Sequence, residues 1–178
     1  VRHQGDPATT RDAELNWWGT ASGPSGEGYG TGSAVGANVD FTPWLLSDDA
    51  TATSVLYVDD DWSDGDCGGH TWGTDAFATL EDALAAADAY DFISVAAGTY
   101  APSDTMDLTH PVAIVGAGSG RTAINVGGFD GYGFHLKDDD ITLQGFSLRG
   151  DPSVNDDYAI HAQPGHSNLV LGDLVVFN

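Results

Sequence analysis

GFHLKDDDITLQGFSLRGDPSVNDDYAIHAQPGHSNLVLGDLVVFN, residues 133–178, says the same thing twice. Counting Tyr132 in front of it, Tyr-Gly-Phe-His at 132–135 returns as Tyr-Ala-Ile-His at 158–161, an offset of 26. Ile141-Thr142-Leu143 returns as Leu169-Val170-Leu171, and Phe146-Ser147-Leu148 as Leu174-Val175-Val176, both at an offset of 28. Each piece is a short apolar run of strand type bounded by Gly, Asp or Asn. Strands this short cannot each bury a face alone, so repetition at this period predicts units that stack on their neighbours.

The connections are too short for crossover helices, which excludes leucine-rich and ankyrin arrangements. Three short strands per turn are expected, namely 141–143, 146–148 and 158–161 in one turn and 169–171 and 174–177 in the next. Equivalent strands would pair in parallel around a narrow apolar core. The phrases DFISVAAGTY (91–100), PVAIVGAGSGRTAI (111–124) and NWWGTASGP (16–24) add to this pattern. On these residues the chain resembles right-handed parallel β-helix (pectin-lyase-like) repeat proteins, of the acidic secreted or surface type found in halophilic archaea. That resemblance implies an all-β, right-handed parallel β-helix solenoid with a short N-terminal capping helix. The apolar spacing of Phe77, Leu80, Leu84 and Ala87 places that helix at about 77–89, with Thr74 or Asp75 as N-cap. Fold alone does not carry function, because one architecture hosts many activities.

Composition narrows the surroundings. The chain has 178 residues and a formal charge of −22, from 27 acidic side chains against five basic ones. Such a surface disfavours nucleic acid and anionic membranes, which require Lys and Arg. Self-repulsion of this size suits high salt, where the screening length falls from about 10 Å at 0.1 M to about 3 Å at 1 M. A halophilic, extracellular or cell-surface protein is the reading this favours. Cys67 is the single cysteine, so no intrachain disulfide staples the fold. No apolar run approaches the roughly 18 residues of a membrane span.

Taken in order, residues 1–46 read as the C-terminal closing part of a β-helix, 47–56 as a linker, and 57–178 as the capping helix and first turns of another. The two ends of the chain account for that order. Gly-Asp-Pro, four mostly polar residues, then Asp and a strand occur at 5–15 and again at 150–160. Joining Asn178 to Val1 gives LVVFNVRHQGDPATTRDAEL, which reads as one continuous turn. Val1, Arg2 and His3 are therefore expected to meet Leu174, Val175, Val176, Phe177 and Asn178 of another copy, covalently in tandem or as a neighbouring subunit.

Candidate ligand groups are few. Asp59, Asp60, Asp61, Asp64 and Asp66, with Gly65 permitting a sharp turn, suit a hard cation, and Ca²⁺ is the expected ion. A solvated acidic loop is the competing reading. Asp138-Asp139-Asp140 reads as a solvated turn between strands. Trp17, Trp18 and Trp44 are expected to lid an apolar end; their second reading is a carbohydrate platform. His135 and His161 hold equivalent places and are expected to stack. Lyases and hydrolases of the resembled fold need basic and paired acidic motifs that this chain lacks, so no catalytic residue is assigned. The expectation is a non-enzymatic structural module that joins head to tail into a filament or surface array. The rival is a polysaccharide-binding or polysaccharide-cleaving domain, with cell-surface polysaccharide as partner.

Overall fold

The structure, a computed structural model, describes residues 10–49, 53–127, 131–150 and 158–177. Within these the chain is mostly β with one short helix. Every pairing between its strands is parallel.

In chain order, the first four strands are β1 (Arg11–Asp12), β2 (Pro24–Gly26), β3 (Gly32–Val35) and β4 (Val39–Asp40). They form two small sheets, β1 with β4 and β2 with β3. Then come β5 (Val55–Val58), β6 (Ala76–Phe77), helix α1 (Leu80–Ala86), β7 (Asp91–Val95), β8 (Gly98–Tyr100), β9 (Met106–Leu108), β10 (Val112–Gly116) and β11 (Thr122–Asn125). The last four are β12 (Tyr132–Leu136), β13 (Ile141–Arg149), β14 (Tyr158–Ala162) and β15 (Val170–Phe177). An eight-stranded sheet runs β6-β5-β7-β10-β13-β11-β8, with β15 added on β13, and a three-stranded sheet runs β14-β12-β9.

This corrects the expected right-handed parallel β-helix solenoid. The strands are gathered into several separate sheets, one of eight, one of three and two of two, rather than into uniform three-strand turns. Gly145 supplies the physical reason. A glycine between two apolar runs reads as a corner, but here its φ of 75° bends the backbone without ending the strand. Residues 141–149 consequently form one nine-residue strand. Its first half pairs with β10 (Ile114↔Leu143) and its second with β11 (Ile124↔Leu148), fusing two ladders into one sheet. Nothing larger than hydrogen fits at this bend, because a Cβ on Gly145 would lie 2.6 Å from the Gly116 carbonyl oxygen.

The helix is also shorter than 77–89. Thr79, not Thr74 or Asp75, is the N-cap, its hydroxyl accepting from the Asp82 N–H at 3.2 Å. Phe77 lies in β6 and is buried. The α1 turns end at Ala87, whose backbone is extended.

Pleat alternation assigns the two faces of the large sheet. Ile93, Val95, Val112, Ile114, Leu143 and Phe146 turn inward and share one core with Phe134, Leu136, Met106 and Leu108 of the three-stranded sheet. Phe92, Ala113 and Val115 turn the other way and are covered by Ala21, Trp44 and Leu46. Residues of the expected closing part thus lie on the outer face of the large sheet.

Candidate functional site

Strand β15 is the first element with chemistry left over. It pairs with β13 from Thr142↔Val170 to Arg149↔Phe177, and it has no second strand partner among the described residues. Leu171 is 55% exposed, Val175 39%, Val176 58% and Phe177 50%. An edge that offers unpaired backbone groups beside apolar side chains is a template for another strand. The edge is not uniformly bare: the Tyr29 ring rests against the backbone of Gly172, and the Arg149 guanidinium sits 5.9 Å from the Phe177 ring centre. Of the residues expected to join copies, Leu174, Val175, Val176 and Phe177 are therefore on this strand. Val1, Arg2, His3 and Asn178 lie outside the described residues, as does most of each Gly-Asp-Pro segment.

A second site lies where two turns stack. The offset of 28 that pairs β13 with β15 also sets 138–140 beside 166–168. Asp139 Oδ1 accepts from the Ser167 N–H at 2.6 Å and the Ser167 hydroxyl at 3.2 Å, with His166 Nδ1 at 3.7 Å. The Asp140 N–H donates to the Ser167 carbonyl at 3.1 Å, and the Asn168 side-chain amide donates to Asp140 Oδ1. The Ser167 N–H, assisted by its hydroxyl and by His166, holds the Asp139 carboxyl below the usual carboxylate value. One ligand atom from each of Asp138, Asp139 and His166 lies within 4.8 Å of the others, so this cluster could hold a metal ion. Among the described residues it is the one such group of three.

The sequence predicts solvated charge at 138–140 and places the candidate ligands at 59–66 instead. Asp59, Asp60, Asp61, Asp64 and Asp66 do not bring three ligand atoms to that spacing. Their carboxylates are partly committed to the backbone: Asp59 Oδ1 accepts from the Asp61 N–H at 3.0 Å, and Asp60 Oδ2 from the Thr99 N–H at 3.0 Å. Asp60 thereby ties the acidic loop to β8. The signal for this cluster is present in the repeat offset, which carries Asp138 onto His166.

The three tryptophans do not make a common platform. Trp44 is 1% exposed and its Nε1 donates to the Ala21 carbonyl at 3.0 Å, so it offers no face to a sugar. Trp18 is half-buried and Trp17 is exposed. His135 and His161 do stand opposite each other, on β12 and β14. Burial, and then the Lys137 ammonium, lower the affinity of the His135 ring for a proton.

No protein-family model matches the chain, and no curated protein matches it. No helix is long and apolar enough to cross a membrane among the described residues.

Proposed function

We propose that the protein is an extracellular or cell-surface structural module whose copies join head to tail by adding a strand at β15, building a filament or array. The observation that carries this reading is the β15 edge, which has no second strand partner among the described residues and exposes Leu171, Val175, Val176 and Phe177. A contact made by two different surfaces of the same molecule propagates into an open filament where its rotation does not close into a ring. The partner is therefore another copy, contributing an extended segment. High salt favours such contact between chains of charge −22, since a screening length of about 3 Å at 1 M removes most of their repulsion. The rival polysaccharide-binding or polysaccharide-cleaving reading loses part of its support with Trp44 inside the protein.

Sedimentation velocity at 1 M salt tests the proposal. The native chain should form species that grow with concentration, and negative-stain images should show threads. Val176→Lys places a charge on the edge and should leave monomers. A native chain that stays monomeric over the whole concentration range overturns the reading.

Calcium is the ion we propose for the acidic turns. Asp138 and Asp139 supply carboxylate oxygens to the cluster, and carboxylate oxygen is the donor a hard cation takes. Bound there, the ion would fasten 138–140 to 166–168 and stiffen the connection leading into β15. Added Ca²⁺ should raise the melting temperature, and Asp139→Asn should remove that rise. Thermal melts with Ca²⁺ and with chelator check this; identical curves rule calcium out.

A further inference from the structure

The outer face of the three-stranded sheet holds two imidazoles that neither the β15 edge nor the acidic turns use. Phe134 and Leu136 point into the core, so His135 between them faces out. The register sets His161 directly opposite, with ring centres 4.9 Å apart.

Each ring is fixed by a neighbour. Asp107, opposite His135 on β9, brings Oδ1 to 3.2 Å from His135 Nδ1, while its Oδ2 holds the Lys137 ammonium at 2.7 Å. The carboxylate accepts a hydrogen bond from the Nδ1–H of His135, which leaves the Nε2 lone pair free. Because β12 runs between β9 and β14, a ring whose Nδ1 turns to β9 presents its other edge away from it. His161 lies flat against Tyr132, ring centres 4.3 Å apart and planes 13° from parallel. Its Nδ1 is shielded from solvent and has no hydrogen-bond partner among the described residues. Leaving a shielded polar atom unpaired is costly, so a missing partner is informative.

We infer that His135 and His161 form a two-imidazole site for a borderline divalent transition ion of the zinc, nickel and copper class, with Asp107 as the positioning residue. Imidazole is the side chain these ions favour, whereas calcium prefers oxygen. A carboxylate behind a ligating histidine fixes its tautomer and orientation and raises its basicity. Lys137 occupies the second oxygen of Asp107, which keeps that carboxylate behind the ligand rather than on the ion. Water fills the other coordination positions. The site shares no residue with Asp138, Asp139 and His166, and it does not depend on the assembly proposed above.

Calorimetric titration of the full chain with zinc chloride provides the test. His135→Ala and His161→Ala should each abolish one binding site. Asp107→Asn should weaken it about tenfold to a hundredfold, the usual effect of removing a carboxylate behind a metal-bound histidine. The double variant Asp139→Asn with His166→Ala should leave it unchanged. If an alanine variant fails to fold, histidine ring NMR signals of the native chain give the same answer, because zinc should shift His135 and His161 first. Absence of zinc binding, or zinc shifts confined to other histidines, overturns the inference.

Discussion

Phe146→Ala should lower the free energy of unfolding by about 3–5 kcal/mol, the cost of emptying a fully buried aromatic site. Phe146 lies just past the Gly145 bend, with no exposed surface, and its ring centre is 5.7 Å from that of Phe134. One ring belongs to the eight-stranded sheet and the other to the three-stranded sheet, so the pair joins the two walls of the core. Neighbouring side chains come from strands on both sides and are held in register by the ladders, which limits how far the site can collapse. A chain of this kind has only about 5–15 kcal/mol of stability in total. The variant should therefore lose a large share of that margin. Urea denaturation followed by circular dichroism measures the effect. Val176→Ala, at an exposed position, should change stability by no more than about 0.5 kcal/mol in the same experiment. If the two substitutions cost the same, the core is not where Phe134 and Phe146 place it.

Parallel pairing was legible in the sequence because strand registers copy repeat offsets. Tyr132 pairs with Tyr158 and His135 with His161 at 26, and Phe146 pairs with Leu174 at 28, as the repeated phrases require. The number and grouping of the sheets were not legible. Whether Gly145 ends a strand or only bends it depends on φ, and a glycine permits both outcomes. That single torsion joins two ladders and replaces the expected coil of short strands by one large sheet. The ends of α1 were misplaced for a related reason: Phe77 fits a helical spacing, yet β5 claims it as a strand partner, Val58↔Phe77. Of the candidate metal-binding groups, the acidic run at 59–66 is conspicuous in composition but spends carboxylates on backbone N–H groups. His166 is distant in sequence from Asp138 and Asp139 and meets them only because two turns stack.

Trp44→Ala should cost a similar amount, about 3–5 kcal/mol, through loss of a large buried side chain. The sequence left Trp44 between a lid and a sugar platform, since a tryptophan beside Pro43 suits either. The structure places it over the outer face of the large sheet, edge-on to Phe92 with ring centres 5.0 Å apart. The indole N–H is satisfied by the Ala21 carbonyl, so burial leaves no polar atom unpaired. Loop 19–23 is shaped around the ring: Gly23 has φ of 78°, and a Cβ there would lie 2.5 Å from the indole. Removing the side chain therefore opens a cavity and also frees the Ala21 carbonyl. Fluorescence-monitored urea unfolding should show the full loss, whereas Trp17→Ala, at a site 37% exposed, should stay within about 0.5 kcal/mol. A double-mutant cycle with Phe92→Ala should return a coupling of about 0.5–1.5 kcal/mol, the range for aromatic pairs in contact. Limited proteolysis adds a local readout, because cleavage within 20–46 should accelerate in Trp44→Ala far more than cleavage within β10 or β13. Equal stability of Trp44→Ala and Trp17→Ala would mean that the outer face of the sheet is not covered by this segment.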